Sequence, residues 1–219
     1  LWGQIKGGSG AVSDWRTRRY YGQGVVSMYL PEAERPLAME DRRFALKHAT
    51  DEAHARVEGI VQGAGMFASR EGYRRYLDAT FAMRATYERL LDDSGAAMLW
   101  SEWPSRKIAD LVAQDIADLG GVPPSVEISQ KRLSTAELLG VLYVLEGSSL
   151  GARVLVRSVA EMGLTAESGA RHMFRQAGDR NAWRSFTAMM AAAPEAPCHD
   201  AANATFAAAG KTPRVEYVD

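Results

Sequence analysis

Apolar residues recur at three- and four-residue spacing along most of this chain, and no segment alternates in the period of two that marks a half-buried strand. Leu46, Ala49, Ala53, Val57, Ile60 and Val61 form the first helical stripe. A second predicted helix covers about 70–91, with Tyr73, Leu77, Phe81, Arg84 and Leu91 near one another on a face. A third starts near Pro104, a residue suited to a first turn, carries Ile108, Leu111, Val112, Ile116 and Leu119, and stops at Gly120-Gly121. Ser134-Thr135-Ala136-Glu137 has capping-box spacing and opens the longest helix, to about Met162, with Gly163 at its end. Thr165 reads as the cap of a helix to about Gln176, and two more fit 180–193 and 199–209. With no βαβ pattern and no repeat, the class is all-α.

Residues 1–40 break this rhythm. Gly7-Gly8-Ser9-Gly10, Gly22-Gln23-Gly24, Pro31 and Pro36 punctuate them, and Val25-Val26-Ser27-Met28-Tyr29-Leu30 is short enough for a strand or an apolar anchor. The expected organisation is an N-terminal extension or arm over 1–40, partly disordered, a helical domain over 41–210 and a C-terminal tail over 211–219.

At 219 residues the chain is long enough for a proper core, and its 47% apolar and 24% charged residues are ordinary for a soluble domain. A net charge of −1 argues against bulk capture of nucleic acid or an anionic membrane. No run approaches the roughly 20 apolar residues that span a bilayer, and no apolar signal-peptide region is visible. The single Cys198 excludes an intramolecular disulfide and fits a reducing compartment. The expectation is a cytoplasmic protein with no nucleic-acid and no membrane partner.

Candidate chemistry concentrates on two helices. On the first, His54 has Thr50 one turn before it and Glu58 one turn after, so a carboxylate lies within reach of the imidazole. Such a partner orients a metal-bound histidine and raises its basicity. His48 is six residues away and off that face, which excludes a two-histidine site of the i, i+4 kind. On the second, Gly147 and Gly151 share a face within Glu146-Gly147-Ser148-Ser149-Leu150-Gly151-Ala152. Glycine inside a helix is unfavourable by about 1 kcal/mol relative to alanine. Two readings account for it: a close helix crossing, or a backbone wall, kinked at Gly and Ser, against a flat ligand. Arg180 and Arg184, four apart on a predicted helix, read either as a solvated face or as a clamp for carboxylates. His172 and His199 lack partners in the sequence, and Tyr73, Tyr76 and Trp183 read as core.

Together these elements resemble the heme oxygenase family. Leu46, Lys47, Ala49, Thr50, Glu52, His54 and Glu58 match its proximal-helix pattern L-K-x-A-T-x-E-x-H-x-x-x-E. Tyr143-Val144-Leu145-Glu146-Gly147-Ser148-Ser149-Leu150-Gly151-Ala152 looks like its distal helix, closest to the bacterial branch that makes biliverdin for bacteriophytochromes or for iron release. Gly169-Ala170-Arg171-His172 and Trp183-Arg184-Ser185-Phe186 are similar to that branch too. The match covers about 41–209. It departs at Ser148, where some members carry an aspartate, at Ala152, where many have a second glycine, and after Phe206.

The resemblance implies a multi-helix bundle with haem between a proximal and a kinked distal helix. It implies His54 as the axial ligand of the haem iron and Glu58 as the partner behind it. Gly147, Ser148, Gly151 and Ala152 would form the distal wall and hold its waters, with Ala152 narrowing the gap. Arg180, Arg184 and, more weakly, Lys47 would meet the haem propionates. The implied activity is that of an oxidoreductase: cleavage of haem, both substrate and cofactor, to biliverdin, CO and iron, using O₂ and an external electron donor such as a ferredoxin or a flavin reductase. A redox partner protein and a biliverdin acceptor such as a bacteriophytochrome follow from it. The rival readings are a non-catalytic haem-binding or sensing protein on the same fold, and a helical interaction module without haem.

Overall fold

The computed structural model describes residues 39–127 and 130–210, which form nine helices and no strand beyond one bridge between Thr165 and Gly169. Apart from its last two positions, the arm expected over 1–40 lies outside the described residues, as do the segment 25–30 and the tail 211–219. The first two stripes become α1 (Met39–Gly63) and α2 (Arg70–Asp93), the second capped by Ser69, whose Oγ accepts the Gly72 N–H at 3.0 Å. Two short helices follow, α3 (Ala96–Leu99) and α4 (Trp103–Arg106).

The helix expected to start near Pro104 and run to Leu119 is divided. Pro104 lies in the first turn of α4, and α5 (Ala109–Asp118) starts afresh after Lys107 and Ile108. The cause is Glu88 on α2, whose carboxylate accepts the N–H groups of Ile108 at 2.8 Å and Ala109 at 3.2 Å. A helix start needs partners for its free N–H groups, and here a residue twenty positions earlier supplies them.

The longest helix, α6 (Thr135–Glu161), forms as expected, with both bonds of the capping box present. Lys131 beside Glu137, reinforced by the box, holds that carboxyl down at about 2. Gly163 follows with φ of 76°, a conformation suited to glycine just past a helix end. Thr165 does not cap the next helix; its Oγ1 accepts the N–H groups of Glu167 and Ser168 in a tight turn. The cap of α7 (Arg171–Gly178) is Asp115 of α5, which accepts from Arg171 N at 2.9 Å and His172 N at 3.1 Å. Asp179 then accepts from Asn181 N and Ala182 N and so starts α8 (Ala182–Ala192), before α9 (His199–Ala209).

Two apolar clusters hold these helices together, and α6 runs through both. Leu139, Leu142 and Leu145, all fully buried, pack with Leu46, Trp103 and Phe186 in the first. Ala152 and Val159 pack with Tyr73, Leu77, Ile116 and Met173 in the second. By length and composition alone α6 could cross a bilayer, with an 18-residue window of mean hydropathy 1.4. The sequence expectation of no such run therefore needs correcting. The apolarity has a use inside the fold: half of that window is buried, and these leucines supply the core.

The close helix crossing considered at Gly147 and Gly151 occurs instead at Gly140. A Cβ there would sit 2.3 Å from the carbonyl oxygen of Cys198 and 3.2 Å from the Ala202 nitrogen, both backbone atoms at the start of α9. Gly140→Ala is therefore expected to lower stability by about 1–3 kcal/mol, despite alanine's better helix propensity. A lower urea midpoint for this variant checks it; an unchanged or higher one counts against so tight a crossing.

Candidate functional site

Lys47, His54 and Glu58 fall along one stripe of α1, a consequence of the 3.6-residue turn. His54 is half exposed, at 51% of its side chain, and meets the edge of Phe206 from α9 with ring centroids 5.5 Å apart. Its Nδ1 lies 3.7 Å from Glu58 Oε1, an electrostatic neighbour beyond hydrogen-bond distance. One turn earlier Thr50 is buried and its hydroxyl donates to the Leu46 carbonyl at 2.8 Å. Leu46 itself packs in the same apolar cluster as Leu142 and Leu145 of α6, which ties α1 to α6 before the histidine. Lys47 donates to Asp51 at 2.7 Å in an exposed pair, weak enough to be redirected. Beyond Thr50 the apolar stripe is only half buried at Ala53, Val57, Ile60 and Val61, unlike Leu46 at 0%.

The Gly-Ser segment of α6 sits at the seam between the two clusters, where buried leucines give way to Glu146, Gly147, Ser148, Ser149, Leu150 and Gly151. The helix is not broken there; it is continuous from Thr135 to Glu161. The Ser148 and Ser149 hydroxyls donate to carbonyls three residues back, at 2.7 Å each, the kind of back-bonding that bends helices. A Cβ on Gly147 would come no nearer than 3.8 Å to Trp183, and one on Gly151 would meet nothing within 4 Å. Gly151 thus borders open space. Ala152 does not: at 3% exposure it belongs to the second cluster, so its methyl fills core rather than narrowing a gap.

Behind Ser148 lies a polar network that the sequence does not announce. Ser148 Oγ accepts from Gln176 Nε2 at 2.9 Å and from Arg84 Nη2 at 3.3 Å. Arg84 is 1% exposed and also donates to the Leu145 carbonyl, while its Nη1 has no hydrogen-bond partner and sits 3.5 Å from Glu88. The same groups border a cavity of about 130 Å³ whose other walls include Val57, Val61 and Met83. That is room for a few waters and too small for a porphyrin. The only sequence signal for Arg84 is a charged residue on an otherwise apolar stripe of α2; Gln176 has none.

The expected i, i+4 pair of arginines is not formed. Asp179 starts α8 at Ala182, so Arg180 sits in the turn before the helix and only Arg184 is on it. Both are exposed, so they leave the same short stretch without sharing a helical face.

His172 is fully buried, and its Nδ1–H donates to Asp115 Oδ2 at 2.7 Å. Burial pushes its pKa below the ordinary histidine value, with Asp115 opposing and Arg84 assisting. The unfolded chain takes up this proton near pH 6.5 and the native state only below that, so stability is full above pH 6.5 and declines as pH falls. Glu88 and Asp78, raised by burial, act in the opposite sense at lower pH. The difference between variants isolates the histidine: from pH 7.5 to 5.5 the native protein should lose more stability than His172→Asn. Equal losses would show that His172 titrates alike in both states.

As for the chemistry the site can support, no group of three or more His, Cys, Asp or Glu side chains gathers among the described residues. The arrangement instead offers one half-exposed imidazole with a carboxylate on its Nδ1 side, an apolar strip beside it, and on α6 a glycine, Gly151, bordering open space. These residues fit haem, which needs one axial nitrogen and flat apolar walls.

Comparisons with known proteins agree. No family model matches the chain. It is 36% identical over 163 residues to heme oxygenase PigA of Pseudomonas aeruginosa, spanning 73% of this chain and 81% of that protein. It is 32% identical over 121 residues to a heme oxygenase of Xanthomonas campestris pv. campestris, spanning 54% and 71%. Its fold matches the NO- and CO-bound heme oxygenase of Neisseria meningitidis with a TM-score of 0.68 at 25% identity, over 80% of this chain and 89% of that one. The identity to PigA, sustained over four-fifths of that protein, together with the all-α fold, places this chain in the heme oxygenase family.

Proposed function

We propose that this chain degrades haem to biliverdin, CO and iron, with His54 as the residue that would hold the iron and α6 from Gly147 to Gly151 as the wall that would face it. The observation that carries the site is the pairing of a half-exposed His54 on a half-buried apolar stripe with open space beside Gly151. A protein normally buries such a stripe, so its exposure fits a ligand that completes the core. Bound haem supplies the iron that binds and activates O₂ and is itself the molecule cleaved.

The chain's own residues bind, orient and order water. Glu58, 3.7 Å from His54 Nδ1, orients the ring by its charge. Gly147 and Gly151 let the α6 backbone approach the ring face closely. Ser148, whose one hydroxyl hydrogen and two lone pairs are taken by Leu145, Gln176 and Arg84, fixes the Gln176 amide and the Arg84 guanidinium at the edge of the water-sized cavity. Arg84 Nη1, paired by charge with Glu88 at 3.5 Å but without a hydrogen bond, is a donor for a water there. Arg180, Arg184 and Lys47 serve the propionates, by charge and not as a helical pair. Ala152 acts from the core, through the position of α6.

The reading takes 41–210 as the heme oxygenase-like domain, with 1–40 an arm and 211–219 a tail. It includes an external electron donor such as a ferredoxin or a flavin reductase, and a biliverdin acceptor such as a bacteriophytochrome, in the cytoplasm. Resemblance to the bacterial branch supports these. The test is direct: add hemin, then a reductant in air. Loss of the Soret band with a rising biliverdin band is expected; a stable ferric or oxy spectrum would mean a binder without turnover.

A further inference from the structure

Glu146 is the residue immediately before Gly147, and at 3% exposure its carboxylate is buried between the two apolar clusters. A buried charge without a partner is strongly unfavourable, so what it binds matters. Its partner is Arg106 at the end of α4, which reaches Glu146 Oε2 with Nε at 3.1 Å and Nη2 at 2.7 Å. The same guanidinium turns Nη1 to Asp179 Oδ2 and lies over the Trp100 ring, 5.7 Å from its centroid. Arg106 is itself only 11% exposed. The planar fork therefore joins two carboxylates from different elements in fixed geometry, which a lysine ammonium cannot do.

Asp179 has two further ties. Its Oδ1 starts α8 through Asn181 and Ala182, and its carbonyl accepts from Arg153 on α6, two residues past Gly151, at 2.9 Å. The turn carrying Arg180 is thus fastened to α6 on both sides of the Gly147–Gly151 wall. Trp183, one residue before Arg184, lies beside Gly147.

We propose that Arg106 is a positioning residue: through Glu146 and Asp179 it locks the glycine wall and the Arg180–Arg184 stretch into one rigid frame. That frame would hold a bound haem in one orientation, and so would decide which of its edges is opened. This rests on the function proposed above. In its terms the wall would meet the ring face, the arginines would meet its charged edge, and Arg106 sets the one relative to the other.

The test uses Arg106→Lys, which keeps the charge beside Glu146 but loses the fork, and Asp179→Asn, which keeps a good cap for α8 but drops the charge. Hemin titration comes first. If the native protein shows no Soret shift, the functional reading fails and the frame is moot. If it binds and turns over haem, both variants should still bind, with a changed haem-methyl NMR pattern in the resting ferric complex, a changed ratio of biliverdin isomers and kcat lower by about 10–100-fold, since a misplacement of about 1 Å has effects up to that order. Isomer ratios and kcat equal to the native protein's in both variants would overturn the proposal, whatever their melting temperatures. Loss of stability with an unchanged isomer ratio would also overturn it, because a merely structural Arg106 behaves that way.

Discussion

His54→Ala is expected to abolish haem turnover and to replace the Soret spectrum of the complex with that of hemin lacking its protein ligand. Removing a partner behind a metal ligand lowers affinity or activity by about 10–100-fold, so removing the ligand itself should exceed that range. The fold should survive, because the side chain is half exposed and, among the described residues, the ring it meets is Phe206. Glu58→Gln calibrates the result. At 3.7 Å and 45% exposed, Glu58 acts across solvent-screened space, so its loss belongs at the lower end of the range, about tenfold. Exogenous imidazole should partly restore the Soret band to the alanine variant, since the space left is that of the missing ring. An unchanged spectrum in His54→Ala would remove His54 from the iron and leave the family activity to another ligand.

What the sequence disclosed, and what it hid, divides by the distance over which each feature is decided. α1, α2 and α6 are set by stripes and caps within a few residues of one another, and they appear where the pattern puts them. The break after α4 and the start of α7 are set by Glu88 and Asp115, carboxylates that arrive from other helices. Thr165 had the right chemistry for a cap and was used for a turn instead. The start of α8 is different: Asp179 lies just two residues ahead of Asn181, and that local signal also explains why Arg180 leaves the helix.

The site divides the same way. His54 and Glu58 are local, one turn apart, and legible. The Arg84, Gln176 and Ser148 network joins α2, α7 and α6, and Arg106 with Glu146 joins α4 to α6, so no window of sequence contains either. Ala152 shows the limit of reading a motif as a unit. It adjoins Gly151 in sequence, yet one residue is buried at 3% while the other borders open space, because neighbours on a helix point about 100° apart.

That contrast yields the other large expected effect. Gly151→Leu should leave the haem-free protein as stable as the native one or more stable, because nothing lies within 4 Å of its Cβ direction and helical glycine is unfavourable by about 0.5–1 kcal/mol. The urea midpoint of the free protein should therefore hold or rise. Haem binding and turnover should collapse, because the isobutyl group enters the space that the ring face needs. A loss of at least tenfold in affinity corresponds to about 1.4 kcal/mol, less than a buried leucine would cost if it had to be expelled. Gly140→Ala is the control with the opposite sign, destabilised at the α6–α9 crossing while the wall is untouched. If Gly151→Leu keeps native affinity and turnover, the wall lies elsewhere on α6. If it unfolds, the space beside Gly151 is filled by protein. Stability gained with function lost is the outcome that marks a glycine kept for its ligand and not for its fold.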